Sequence, residues 1–162
     1  MKAIVAVDLN WGIGYEGKLL QPIPEDMKFF KKKTLGNVVV MGRETFESLP
    51  GKSPLKDRVN IVLTRNQSFK DERLIICHSV NETLEILKQY DSDNVYIIGG
   101  EAIYNEFLQY CDEIFVTKIK AEYKADKYFP NIDKQEKWKK VNTSEVKEYE
   151  GINYTFNVYK KL

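Results

Sequence analysis

Short apolar runs bounded by turn-forming residues recur along this chain: Ala3 to Val7, Val38 to Met41, Val59 to Leu63, Leu74 to Cys77, Val95 to Ile98 and Ile114 to Ile119. Rich in β-branched residues and lacking polar alternation, such runs predict strands buried on both faces. Helical patterns lie between several of them. Over Ser79 to Tyr90, Val80, Leu84 and Leu87 align, and Ser79 with Glu82 forms a capping box. Over Glu101 to Tyr110, Ile103, Tyr104, Phe107 and Leu108 share one stripe. Strands alternating with helices need crossover connections, so the expected fold is α/β, with a mostly parallel central sheet of about eight strands flanked by about four helices. The tail differs. Tyr154, Phe156 and Val158 alternate with Asn153, Thr155 and Asn157, and Glu150-Gly151 can turn the chain after Val141 to Lys147. That predicts an antiparallel C-terminal hairpin at one edge. The 162 residues carry no repeat, low-complexity tract or linker, and read as one domain.

Charge and cysteine content narrow the function. A formal charge of +1 provides no basic field for a phosphate backbone, which argues against nucleic acid and for small-molecule partners. Cys77 and Cys111, with no C-x-x-C pair, suggest neither a disulfide framework nor a zinc site, so no metal is expected. Met1 to Val7 is too short for a signal h-region, and no stretch approaches transmembrane length. A cytoplasmic protein without membrane attachment is expected. It reads as a monomer, because no apolar face is left over.

Pro24-Glu25-Asp26-Met27-Lys28-Phe29-Phe30 is the densest chemical signal. Proline suits the first position of a helix, and helical spacing sets Asp26 beside Phe29 and Phe30. Facing the interior, that carboxylate would be desolvated, its pKa raised, and it would accept well from paired donors on a flat heterocycle. The plainer alternative is that Glu25 and Asp26 only complement the positive end of the helix dipole.

Gly12-Ile13-Gly14-Tyr15-Glu16-Gly17 matches the dinucleotide pattern G-x-G-x-x-G, yet Pro22 and Pro24 leave no helix to open there. The reading is instead a long flexible loop from Asp8 to Ile23, either a lid or an irregular surface loop. Better phosphate candidates are Ile97-Ile98-Gly99-Gly100-Glu101-Ala102 and Met41-Gly42-Arg43, each a strand leading through glycine into a helix. Either could be only a tight turn; two on one sheet favour a dinucleotide. Leu63-Thr64-Arg65-Asn66 adds a hydroxyl and a guanidinium but no acid, which suits a ribose 2'-phosphate and hence NADPH over NADH, unless Arg65 is a solvated loop charge. His78, the only histidine, is placed on polar surface beside the cofactor phosphate. Lys31, Lys32 and Lys33 form a solvated helix face, from which Lys31 could reach an anionic substrate tail.

Asp8 to Gly14, Pro24 to Thr34, Met41-Gly42-Arg43 with Thr45, Arg58-Val59-Asn60, Ile98-Gly99-Gly100, Tyr104, Thr117 and Asp126 to Pro130, taken in order and spacing, closely resemble bacterial dihydrofolate reductase. The resemblance covers essentially the whole chain. It implies reduction of 7,8-dihydrofolate by NADPH, with antifolate-like molecules as further ligands, and an adenosine-binding subdomain near residues 38–92. Asp26 would accept from the 2-amino group and ring nitrogen of the pterin, supported by Thr117. Ile4 and Ile98 would bracket the pterin edge through their carbonyls, and Val5, Met27, Phe30, Leu49 and Leu55 would form apolar walls. Arg58 would pair with the substrate's α-carboxylate.

On the cofactor side, Ala6 and Ile13 would hold the nicotinamide carboxamide, with Gly14 beside them. Gly42, Arg43, Thr45, Gly99 and Gly100 would cradle the diphosphate. Arg43, Thr64 and Arg65 would read the 2'-phosphate, near Leu63 and His78. Glu101, Ala102 and Ile103 would continue the cofactor wall, and Tyr104 would lie near both nicotinamide and pterin. The chain departs from the family pattern at Leu20-Gln21, where most relatives carry Pro-Trp; Gln21 would then hold the water beside the acid with its amide. Ala102 stands where some relatives contact phosphate, and Pro50 to Ser53 is an extension. The alternatives are a riboflavin-type pyrimidine reductase of related fold, or a nucleotide-binding module without catalysis.

Overall fold

The computed structural model describes all residues from Met1 to Leu162. In chain order the elements are β1 (Lys2–Val7), β2 (Gly12–Tyr15), β3 (Lys18–Leu19), α1 (Pro24–Thr34), β4 (Val38–Gly42), α2 (Arg43–Ser48), β5 (Val59–Leu63), β6 (Ile75–Cys77), α3 (Val80–Leu87), β7 (Val95–Gly99), α4 (Glu101–Phe107), β8 (Glu113–Ile119), β9 (Lys127–Tyr128), β10 (Trp138–Thr143), β11 (Lys147–Tyr149) and β12 (Ile152–Lys161). The central sheet runs β10-β12-β8-β1-β7-β4-β5-β6, with β11 paired to β12. From β8 to β6 every pairing is parallel, and the C-terminal strands add antiparallel. The expected α/β architecture and edge hairpin are both present.

Strand periodicity divides the core. Ala3, Val5, Val38, Val40 and Ile97 point to the face covered by Leu87 of α3 and by Ile103 and Phe107 of α4. Their neighbours Ile4, Val39, Met41 and Tyr96 point to the other face, against Phe46 of α2 and Phe29 and Phe30 of α1. Both faces are apolar because both are covered, which is why these strands read as continuous hydrophobic runs. Ser79 caps α3 as expected, accepting from the Glu82 N–H at 3.0 Å. The Glu82 carboxylate reaches back one residue further than a capping box requires, to the His78 N–H.

One expectation changes. The segment from Asp8 to Ile23 is not an irregular loop: β2 and β3 form a small hairpin, and β2 also pairs with β9. The partner that organises it lies more than a hundred residues away in sequence, beyond the reach of local patterning. The glycine-rich motif is therefore extended, with no helix behind it. In β12, Thr155 and Asn157 are buried, as Tyr154 and Tyr159 are. Asn157 meets the requirement of burial by donating through Nδ2 to the Val116 carbonyl at 3.1 Å and to the carbonyl and hydroxyl of Thr155. Asn157→Ala is expected to lower unfolding free energy by about 2 kcal/mol, since it leaves buried acceptors unpaired; urea denaturation with an unchanged m-value is the check.

Candidate active site

Strand β1 pairs with β7 only at Lys2↔Tyr96 and Ala3↔Ile97, while its pairing with β8 continues through Val7↔Lys118. Past Ala3 the sheet parts between β1 and β7, near the carboxyl ends of parallel strands, where ligands bind in open α/β sheets. One carbonyl freed by the split, that of Ile4, accepts from the buried Tyr104 hydroxyl at 2.7 Å and keeps a second lone pair. Burial pushes the Tyr104 phenol far up, so it remains a donor. Gly99 makes room for that ring: its φ is +120°, and a Cβ there would approach the Tyr104 ring to 3.2 Å.

A cleft of about 810 Å³ opens from the split. At one end it is lined by Val5, Ala6, Ile13, Gly14, Ile98 and Tyr104. Gly42, Arg43, Thr45, Gly99 and Gly100 line its middle, with Glu101, Ala102 and Ile103 along one wall. Leu63, Thr64, Arg65 and His78 close the far end. The structure thus gathers all of the expected cofactor-side residues into one groove. Several are already engaged within the protein. Arg43 Nε meets Glu47 at 3.1 Å and its guanidinium lies over Phe69, the Glu101 carboxylate accepts from the Tyr128 N–H, and His78 Nδ1 sits 2.8 Å from the Thr64 carbonyl. Arg65 is exposed and makes no ion pair.

Ala6 and Ile13 also line an adjoining pocket of about 30 Å³, shared with Leu20, Gln21, Asp26 and Met27, a volume that suits about two water molecules. Asp26 lies in the first turn of α1, which begins at Pro24 as proline's fixed geometry allows. Burial lifts its pKa above the ordinary carboxylate range, opposed only by the Thr117 hydroxyl, which donates to Oδ1 at 2.5 Å. Thr117 belongs to β8 opposite Ala6, so the acid bridges the helix and the split strand. Its neighbour Glu25 faces away, holding Tyr154 at 2.5 Å and Lys147 at 3.2 Å. Gln21 lies beside the acid; its Nε2 donates one hydrogen to the Pro22 carbonyl and its Oε1 accepts from the Tyr123 hydroxyl at 3.4 Å, which leaves one donor and one lone pair free.

The remaining substrate-side residues form the apolar flank. Phe30, Leu49, Leu55 and Ile98 pack around the cluster that contains Ile4. Arg58 sits at the far end of α1, donating to the Thr34 hydroxyl at 3.0 Å, and partial burial lowers its pKa. Lys31 on α1 is exposed. Sequence reasoning missed two supports. Asn60 knots the loop before β5, accepting from the Leu55 N–H and donating to the carbonyls of Leu55 and Arg58. Asp8, buried at the root of the β2 hairpin, binds backbone amides only. A lone acid after an apolar strand carries no sequence signal for that role.

A parted parallel sheet, a groove whose far end carries the exposed Arg65, and a largely buried acid in the pocket adjoining it are the build of a nucleotide-dependent oxidoreductase. The dihydrofolate reductase family model matches residues 1–161. The chain is 37% identical to the Sus scrofa dihydrofolate reductase, covering 99% of this chain and 97% of the relative. It is 37% identical to that of Buchnera aphidicola, over 96% of this chain and 95% of the relative. The dihydrofolate reductase of Enterococcus faecalis, solved with NADP(H) and RAB-propyl, superposes with a TM-score of 0.88 at 37% identity, covering 99% of this chain and 95% of that one. The chain belongs to the dihydrofolate reductase family, whose members are NADPH-dependent enzymes.

Because burial raises the pKa of Asp26, its ionised form opposes folding at neutral pH, and the opposition ends once both folded and unfolded chains hold the proton. Asp26→Asn is accordingly expected to resist urea better than wild type at pH 7. The advantage should fade as pH drops below about 4; a constant advantage across that range would contradict the electrostatic assignment.

Proposed function

We propose that the protein reduces 7,8-dihydrofolate to 5,6,7,8-tetrahydrofolate with NADPH, adding hydride to pterin C6 and a proton to N5. The observation that carries this reading is the largely buried Asp26 carboxylate, held by Thr117 in a small pocket that shares Ala6 and Ile13 with a cleft of about 810 Å³. Such an acceptor matches the paired donors of the pterin's 2-amino group and ring nitrogen, while Ile4 and Ile98 offer carbonyls at the split. Met27, Phe30, Leu49 and Leu55 would flank the ring system, and Arg58, with Lys31 nearby, would take the carboxylates of the substrate tail.

The groove suits NADPH. When bound, NADPH supplies the hydride. Ala6 and Ile13 would hold its carboxamide through backbone groups, the glycine backbones at Gly42, Gly99 and Gly100 with the Thr45 hydroxyl would receive the diphosphate, and Thr64, Arg65 and His78 would meet the 2'-phosphate. Arg43, tethered by Glu47, contributes positive field from a fixed position. The absence of a carboxylate among Leu63 to Asn66 is what separates this end from one built for a free 2'-hydroxyl. The segment 38–92, comprising β4 through α3, would be the adenosine-binding part of the single domain.

An unprotonated imine accepts hydride poorly, so N5 must gain a proton. Asp26 grips the opposite edge of the ring, and its charge raises the basicity of N5 through space. A water in the small pocket beside Asp26 and Gln21 would deliver the proton. With both ligands in place the site would exclude bulk solvent and fix alignment; a monomer acting on small molecules, without nucleic acid, completes the reading. No helix is long and apolar enough to cross a membrane, which accords with a cytoplasmic setting.

The direct test follows NADPH absorbance on mixing with dihydrofolate, where sustained loss is expected and none would end the proposal. In the same assay at neutral pH, Asp26→Asn should slow hydride transfer by roughly 10² to 10⁴-fold and recover activity as pH falls, since solvent can then protonate N5. Near-normal turnover by that variant would remove Asp26 from the mechanism.

A further inference from the structure

Asp8 is 1% exposed, the only acidic residue so buried, and the reading above gives it no task. Its Oδ1 accepts from the backbone N–H groups of Asn10 at 2.9 Å and Gly12 at 2.8 Å, and its Oδ2 from that of Tyr123 at 3.0 Å. The first two donors belong to the β2 arm and the third to the connection between β8 and β9. No cation lies within ion-pair distance, so backbone amides from two separate segments satisfy the charge.

Packing supplies a second, independent observation. A Cβ added at Gly12 would stand 2.8 Å from Ala125 Cβ, 3.1 Å from Asp8 Oδ1 and 3.1 Å from Leu20 Cδ1. On the side where a Gly12 side chain would point, the arm, the β8–β9 connection and the residue before Gln21 therefore meet with no room for a Cβ. Immediately past this point Ile13 and Gly14 become the wall of the cleft.

We infer that Asp8 is a positioning residue for hydride transfer: by clamping Gly12 to Tyr123 it sets the depth at which Ile13 and Gly14 close the nicotinamide end of the cleft. The inference rests on the cleft being an NADPH site. Asparagine cannot replace the carboxylate, because one of its two arms is an NH₂ and would point a donor at a backbone donor.

The test uses the full chain with Asp8→Asn, and with Gly12→Ala, which strains the same junction while sparing the carboxylate. For each variant the dissociation constants of NADPH and, separately, of dihydrofolate are measured, together with single-turnover hydride transfer across pH. The expected pattern is weakening of NADPH binding and slowing of hydride transfer by about tenfold or more, with dihydrofolate affinity within about twofold. The apparent pKa of the rate profile should match wild type. Unaltered NADPH affinity and rate would overturn the inference, as would equal weakening of both ligands, the mark of a merely structural role. If the variants do not fold, amide exchange in the wild-type protein decides: the Gly12 and Tyr123 amides should gain protection together when NADPH binds, and independent behaviour refutes the clamp. Absence of wild-type turnover would instead sink the functional reading itself, so the two failures are distinguishable.

Discussion

The site exists because β1 and β7 cease to pair after Ala3. Two parallel strands that separate must find other partners for the carbonyls and amides they release, or leave them to a ligand. The protein supplies one such partner itself. Tyr104 reaches across to the Ile4 carbonyl from α4, while Ile98 lines the cleft. Gly99 is needed so that the aromatic ring can lie in the gap. The floor of the cleft at Val5, Ala6, Leu63 and Ile98 is therefore attached to strands that are paired elsewhere in the sheet, which gives that part of the groove its rigidity.

Asp26 depends on the same separation. Thr117 sits on β8, the strand that stays with β1 for its whole length, so the hydroxyl holding the acid is anchored on the intact side of the split. The helix is fixed from behind by the Glu25 contacts with Tyr154 and Lys147, and from below by Phe29 stacked on Phe156 at 4.6 Å. A single neutral donor is little compensation for a desolvated charge. The carboxylate is thus held in a state that a cationic or multiply donating ring would relieve, which is an arrangement suited to binding rather than to stability.

Much of this architecture was legible from residue order. The buried runs and their helices follow from period alone, since both faces of the sheet are covered. Asp26 stood out because an acid beside two aromatics conflicts with local patterning. The arm from Asp8 to Ile23 was opaque for the opposite reason: two short strands have no period to read, and their organising partner, Lys127–Tyr128, is remote. The burial of Thr155 and Asn157 was not legible either, because alternation reports two different faces, not which of them meets water. Side-chain engagement was also hidden, as with Arg43, whose ion pair to Glu47 is an ordinary i,i+4 helix contact until the cleft is in view.

The arm is tied at two places by carboxylates that accept backbone amides, but the ties differ in strength. Asp8 is buried and holds three donors at the base, whereas Asp126 is exposed and holds the Glu16 N–H at 3.0 Å near the tip. A charge-assisted bond shielded from water outlasts one that solvent can replace at little cost. Local opening should accordingly begin at Glu16 and Gly17 and stop short of Gly12. Such grading suits an element that must admit a flat ligand at its tip while its base keeps the inner wall of the cleft in register with Ala6 and Thr117.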